Sequence, residues 1–371
     1  PRLMGVVASA VARAAMDSGV ATRPVKDFDA YQESLDNSVS KSALVMRPVF
    51  DAAAIQSRRV VFAEGESERV LRAASAVLEE TTDRPILIGR KEAIIRRISK
   101  AGLSIKPGQD FELVDPQNDS RYRDYWTTYL SIMQRKGVTP ELARRIMRTN
   151  TTAIASVMVY RGEADSLICG TFGQYRWHLN FIEDVLGKGE LSPIAALSLM
   201  ILEDGPLFIA DTNVHSEPSP SEIAKTVIAS ARHVRRFGIE PKIALCSHSQ
   251  FGNLDCDTGR RMRSALEILD SKQRDFIYEG EMHTDSALDE TLRQRIFPES
   301  RFSGEANVLI FANTDAASAV RNILKIKADG AEVGPILMGM GNRAHIVNPS
   351  ITARGLLNIS ALAGTPVSEY G

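Results

Sequence analysis

Six times along this chain a short apolar run breaks off into a loop of small polar residues. Val60-Val61-Phe62-Ala63 gives way to Glu64-Gly65-Glu66-Ser67, and Ser166-Leu167-Ile168-Cys169 to Gly170-Thr171-Phe172-Gly173. Leu207-Phe208-Ile209-Ala210 precedes Asp211-Thr212-Asn213, and Ile243-Ala244-Leu245-Cys246 precedes Ser247-His248-Ser249-Gln250-Phe251-Gly252. Val308-Leu309-Ile310-Phe311 precedes Asn313-Thr314-Asp315, and Pro335-Ile336-Leu337-Met338 precedes Gly339-Met340-Gly341-Asn342. Strands so uniformly apolar are buried on both faces, and helical patterns alternate with them. The expected fold class is therefore α/β, a sheet covered by helices.

The helices have readable ends. Ser219-Pro220-Ser221-Glu222 spells a capping box with proline at the first helical position, where its missing donor costs nothing. Ile223, Val227, Ile228, Ala231, Val234 and Phe237 then form the apolar stripe, and Gly238 ends it. A second helix is predicted from Thr139-Pro140-Glu141, carrying Leu142, Ile146 and Met147.

At 371 residues, length alone predicts about two to three domains. The 45 basic and 46 acidic side chains nearly cancel, which gives no support to a nucleic-acid binder. No apolar stretch reaches about 18 residues, so no membrane span is expected. Three cysteines, Cys169, Cys246 and Cys256, without a C-x-x-C pair, predict neither a disulfide scaffold nor a structural zinc site. They suit a reducing cytoplasm. The six histidines lack metal-ligand spacing, and no metal site is expected. Cys246 reads as a buried structural thiol.

Residues 1–40 differ in character from the rest. Leu3 to Val20 reads as an amphipathic helix stopped by Gly19, and Tyr31 to Ser42 as a polar linker or an outer helix. This stretch is expected to be the tail of an upstream domain, with an ordinary N-terminal helix as the alternative on composition alone.

In open α/β sheets, ligands lie outside the carboxyl ends of the strands, where all six loops fall. Helix N-termini gathered there favour an anionic, phosphate-bearing ligand. Neither a G-x-x-x-x-G-K-[ST] phosphate loop nor a G-x-G-x-x-G dinucleotide fingerprint is present.

Four blocks give the chain a family resemblance. They are Gly162-Glu163-Ala164-Asp165 with Cys169-Gly170; Ile243 to Ser249; Glu279-Gly280-Glu281-Met282; and Ala306 to Phe311 with Gly334-Pro335-Ile336-Leu337-Met338-Gly339. From about Ala43 to Gly364 the chain resembles phosphotransacetylase, the phosphate acetyl/butyryl transferase family. The opening segment to Ala21, with the Gly170-Thr171-Phe172-Gly173 and Asp211-Thr212-Asn213-Val214 loops, resembles the bacterial hybrid NADP-dependent malic enzymes. In those, such a domain follows the oxidative decarboxylase.

The resemblance implies two α/β lobes with a cleft between them, as in the isocitrate and isopropylmalate dehydrogenases. Residues 41–185 with 330–371 would form lobe 1 and residues 186–329 lobe 2. Active phosphotransacetylases carry a Ser-Arg pair and, further along, an Asp. Aligned on Gly334-Pro335-Ile336-Leu337 and Asn358, these positions hold Asn348-Pro349 and Gly355. No catalytic residue is therefore expected.

What the resemblance implies instead is an acetyl-CoA effector site and an oligomer, dimeric through lobe 2 and of higher order beyond. Acetyl-CoA would contact Ser247, His248, Ser249, Gly339, Gly341 and Asn348, with Arg176, Arg343 and Arg354 for its phosphates. NADP and a divalent metal, magnesium or manganese, would belong to the upstream domain, and no cofactor to this part. A working phosphate acetyltransferase and a purely structural oligomerisation domain are the alternatives.

Overall fold

The computed structural model describes residues 2–21, 24–25, 27–187, 194–328 and 330–365; the side chains of 2–9, 29–30 and 32–41, which include part of the expected amphipathic helix and of the expected polar linker or outer helix, lie outside the described residues. Two helices open the chain, α1 (Arg2–Asp17) and α2 (Phe28–Ala53). The next elements are β1 (Arg59–Phe62), α3 (Glu68–Glu80), β2 (Arg84–Ile88), α4 (Lys91–Lys100) and β3 (Glu112–Val114). Helices α5 (Tyr122–Met133), α6 (Pro140–Thr149) and α7 (Thr151–Tyr160) lead to β4 (Ser166–Cys169) and α8 (Tyr175–Leu186). Then follow β5 (Ala195–Ile201), β6 (Pro206–Ala210), α9 (Pro220–Arg235), β7 (Lys242–Cys246), α10 (Asp257–Asp270) and β8 (Ile277–Met282). The last elements are α11 (Thr284–Leu288), α12 (Glu290–Ile296), β9 (Val308–Phe311), α13 (Thr314–Lys327), β10 (Ala331–Met338), β11 (Ala344–Ile346) and α14 (Ala353–Gly364).

The strands form two sheets. One has the order β11-β4-β1-β2-β3 with parallel pairing throughout, the other β10-β5-β6-β9-β7-β8 with antiparallel pairs at β10–β5 and β5–β6. All six apolar runs are strands. The chain re-enters the first sheet only at β11, later than the break expected at 329/330. Ala331 to Met338 pair with Ile201 to Ala195, and those hydrogen bonds keep β10 in the second sheet.

Local chemistry fixes the helix ends as expected. The Ser219 hydroxyl accepts from the Glu222 amide while the Glu222 carboxylate accepts from the Ser219 amide, so two orphan donors of α9 are satisfied. The stripe from Ile223 to Phe237 is buried apart from the partly covered Ile228. Thr139 caps α6 by the side-chain half of this device alone, its hydroxyl accepting from the Leu142 amide.

Helix α14 is the shared spine. Every residue from Gly355 to Gly364 is buried, and one apolar cluster runs from Phe62 in the first sheet through Leu357 and Leu362 to Phe208 in the second. The carbonyls at its C-terminal end are gathered by cationic and amide donors. Arg236 donates to Leu362 O and Thr365 O, and Asn342 Nδ2 donates to Leu362 O, Ala363 O and Thr365 O, which suits the negative end of a helix. His233 and His345 complete this seam as neutral imidazoles, because burial pushes His233 well below its ordinary range and His345 down to about 3.

Candidate functional site

At the carboxyl end of β1 the chain turns Glu64 inward, where it is 6% exposed. Its carboxyl accepts from Gly170 N at 3.1 Å, and from Thr171 N and Thr171 Oγ1 at 3.4 Å each. Burial pushes its pKa up to about 7, against the downward pull of those donors and of Arg69. Arg69, in the first turn of α3, donates to Pro349 O at 2.5 Å, Ile351 O at 2.7 Å and Thr171 O at 3.0 Å. A single guanidinium thus ties the loop after β4 to the loop after β11.

Beside that second loop lies a cavity of about 280 Å³ between the lobes. Asn348, Ile351, Gly355 and Asn358 line it from the first lobe, and Lys325 and Glu332 from the second. Lys325 Nζ lies 2.8 Å from Glu332 Oε2 and 3.3 Å from Ser350 Oγ, so it bridges the lobes. Arg321 approaches Glu332 Oε1 at 3.5 Å. The wall holds a carboxylate already paired with two cations. A Cβ on Gly355 would stand 2.8 Å from Ile351 Cγ1, so Ile351 fills the space an acidic side chain would need.

A second cavity of about 520 Å³ opens at the carboxyl ends of β7 and β9, with Ser247, His248, Thr258, His283 and Asn313 in its wall. His283 Nε2 sits 3.0 Å from His248 O, and His248 Nδ1 3.3 Å from Thr258 Oγ1. At the end of β6, Asp211 accepts from His215 N at 3.0 Å and pairs with His215 Nδ1 at 2.8 Å. That hydrogen bond raises the His215 pKa against burial, and the charge of Arg176 opposes it. Burial pushes the Cys246 thiol up to about 12, so it is no thiolate nucleophile at neutral pH. Among the described residues no group of three or more His, Cys, Asp or Glu is arranged to hold a metal ion.

The expected ligand residues are not gathered in one site. Ser247 and His248 line the larger cavity, and Asn348 and Arg354 the smaller. Gly339, Gly341 and Arg343 occupy the turn between β10 and β11 and line neither. Ser249 is fully buried and donates to Glu281 Oε1 at 2.6 Å. Arg343 donates to Met340 O and Leu186 O. Both therefore face the protein's own groups. Arg354 pairs with Glu80 at 2.8 Å, and Arg176 lies exposed, 3.7 Å from Glu183. Reading the sequence missed Glu64, Arg69, Lys325 and Glu332. Glu64 had a signal, its place directly after an apolar strand; the others meet the site only through long-range folding.

Residues 44–364 match the family model described as phosphate acetyl/butaryl transferase. The chain is 50% identical over 364 residues to an NAD-dependent malic enzyme of Rhizobium meliloti (strain 1021), covering 98% of this chain and 47% of that protein. It is 44% identical over 365 residues to the NADP-dependent malic enzyme of Escherichia coli (strain K12), covering 98% and 48%. The chain thus spans about half the length of these curated relatives. Among solved structures, a phosphotransacetylase from Streptococcus pyogenes superposes with a TM-score of 0.78 at 23% identity, over 86% of this chain and 97% of that one. The EutD phosphotransacetylase from Staphylococcus aureus gives 0.76 at 23%, over 87% and 98%. Both share this fold.

Proposed function

Because the chain belongs to the phosphate acetyl/butaryl transferase family, we propose that it is the acetyl-CoA-binding, regulatory part of a malic enzyme, keeping the family's ligand cavity without its transfer chemistry. Oxidative decarboxylation of malate to pyruvate, with NADP and a divalent metal, would belong to the remainder of such a protein. Relatives named for NAD and for NADP leave the preference for one nicotinamide to that remainder. The reading includes self-association through the second lobe and a cytoplasmic setting; no described helix is long and apolar enough to cross a membrane.

The supporting observation is the chemistry of two positions, Gly355 in the cavity wall and Pro349 in the loop beside it. Acyl transfer from or to coenzyme A needs the thiol deprotonated, and a thiol of pKa about 8.5 is mostly protonated at neutral pH. Losing the general base costs about 10² to 10⁴ in rate. Gly355 has no side chain, Ile351 fills the space beside it, and Pro349 offers only a carbonyl, already bonded to Arg69. The second reading, a working phosphate acetyltransferase, is favoured by Glu332 in the same cavity. Against it, both oxygens of that carboxylate lie against cations.

An effector acts at a distance only through different affinities for two global states, usually a coupling of about 1 to 3 kcal/mol. In the full-length protein, acetyl-CoA is expected to slow malate-dependent reduction of the nicotinamide. An unchanged rate at saturating acetyl-CoA would count against regulation, and coenzyme A-dependent consumption of acetyl phosphate would favour the transferase.

A further inference from the structure

The smaller cavity presents two side-chain amides for which the protein supplies no partner. Asn358 on α14 is 5% exposed and its Oδ1 is unbonded; Asn348 is half-buried, but its Nδ2 atom is shielded from solvent and likewise unbonded. Buried polar groups in folded proteins are nearly all hydrogen-bonded, so an unmet pair on one cavity points to a partner that arrives from outside. Neither group titrates; in the neighbouring Glu332, Oε2 is bonded to Lys325, while Oε1 makes no hydrogen bond and is balanced in charge by Arg321 at 3.5 Å. The pair therefore reads hydrogen-bond direction, not charge. One donor and one acceptor are the complement of a secondary amide, whose carbonyl accepts and whose N–H donates. At about 280 Å³ the cavity falls just below the roughly 300–1,000 Å³ of sites for drug-sized ligands. It suits a linear arm more than a whole nucleotide.

Resting on the acetyl-CoA reading above, we infer that Asn348 and Asn358 clamp a secondary amide of the ligand's pantetheine arm. Asn348 Nδ2 donates to the amide carbonyl, and Asn358 Oδ1 accepts from its N–H. Asn358 is a binding residue in this assignment, where the sequence offered it only as an alignment anchor.

The test is calorimetric titration of the full chain with acetyl-CoA and with pantetheine, alongside thermal melts. Asn358→Leu should weaken both ligands about tenfold, the order expected for one hydrogen bond. Its melting temperature should hold or rise, because an unpaired buried acceptor has been removed. Asn358→Asp, which keeps the acceptor, should retain binding. Unaltered acetyl-CoA affinity in Asn358→Leu overturns the clamp and leaves the acetyl-CoA reading standing; wild-type protein that binds no acetyl-CoA overturns both. A lowered melting temperature with unaltered affinity assigns Asn358 to the fold and likewise overturns the clamp. Should Asn358→Leu fail to fold, Asn348→Leu carries the same titration, with the same tenfold loss expected and unaltered affinity overturning the clamp.

Discussion

Glu64 is a carboxyl whose protonation the fold has altered. Its folded pKa of about 7 exceeds the ordinary 4.5, so the native state binds the proton more tightly than the unfolded chain. Its stabilising contribution is full below about pH 4.5 and is lost as pH rises through 7. At 1.36 kcal/mol per unit, the charged form costs about 3 kcal/mol at pH 8. Glu64→Gln removes the charge and keeps one of the two accepting oxygens, so its amide can accept either from Gly170 N or from Thr171 N and Oγ1, and its NH2 faces the other donor. Urea denaturation should find the stability of that variant relative to wild type about 2–3 kcal/mol higher at pH 8 than at pH 4.5, the hydrogen bond lost on substitution counting at both. An equal difference at both pH values would show that titration of Glu64 is not the cause. At this scale the sequence was only partly legible. The polar loop carrying Glu64 was evident, but whether a side chain faces solvent, a cavity or its own backbone depends on distant partners. Ser249 and Arg343 illustrate this: one meets Glu281 across 32 positions and the other Leu186 across 157.

The elements were far more legible, for a physical reason. Runs such as Val308-Leu309-Ile310-Phe311 are buried on both sides, so their composition alone announces a strand. The capping box of α9 is a four-residue device and needs no tertiary partner. Strands β2, β3, β5, β8 and β11 were not anticipated, although Pro85-Ile86-Leu87-Ile88 ahead of Gly89 carried the same signature as those that were. The sheet to which β10 belongs was not legible, because its partner β5 lies more than a hundred residues earlier. The junction of β4 with the chain after β11 shows how tightly the elements frame the site. Gly170 has φ 103°, and a Cβ there would fall on the Val347 carbonyl oxygen. Gly170→Ala should therefore destabilise the protein by about 3 kcal/mol or more, combining backbone strain with a clash. Thermal unfolding would reveal it, and a melting temperature within a degree of wild type would contradict the close approach.

As a whole molecule, the two sheets share one apolar core around α14, and the smaller cavity lies where both lobes meet it. The same helix carries Gly355 and Asn358 in the cavity wall and ends in the seam of Arg236, Asn342, His233 and His345. A ligand at that wall therefore touches the element on which both lobes pack, which is the physical basis for reading it as an effector. The central claim is retention of a ligand without conversion, and equilibrium dialysis against acetyl-labelled acetyl-CoA in phosphate buffer tests it most directly. The account predicts saturable uptake with the label recovered as acetyl-CoA. Recovery of the label as acetyl phosphate at enzymatic rates, or no uptake at all, would contradict it.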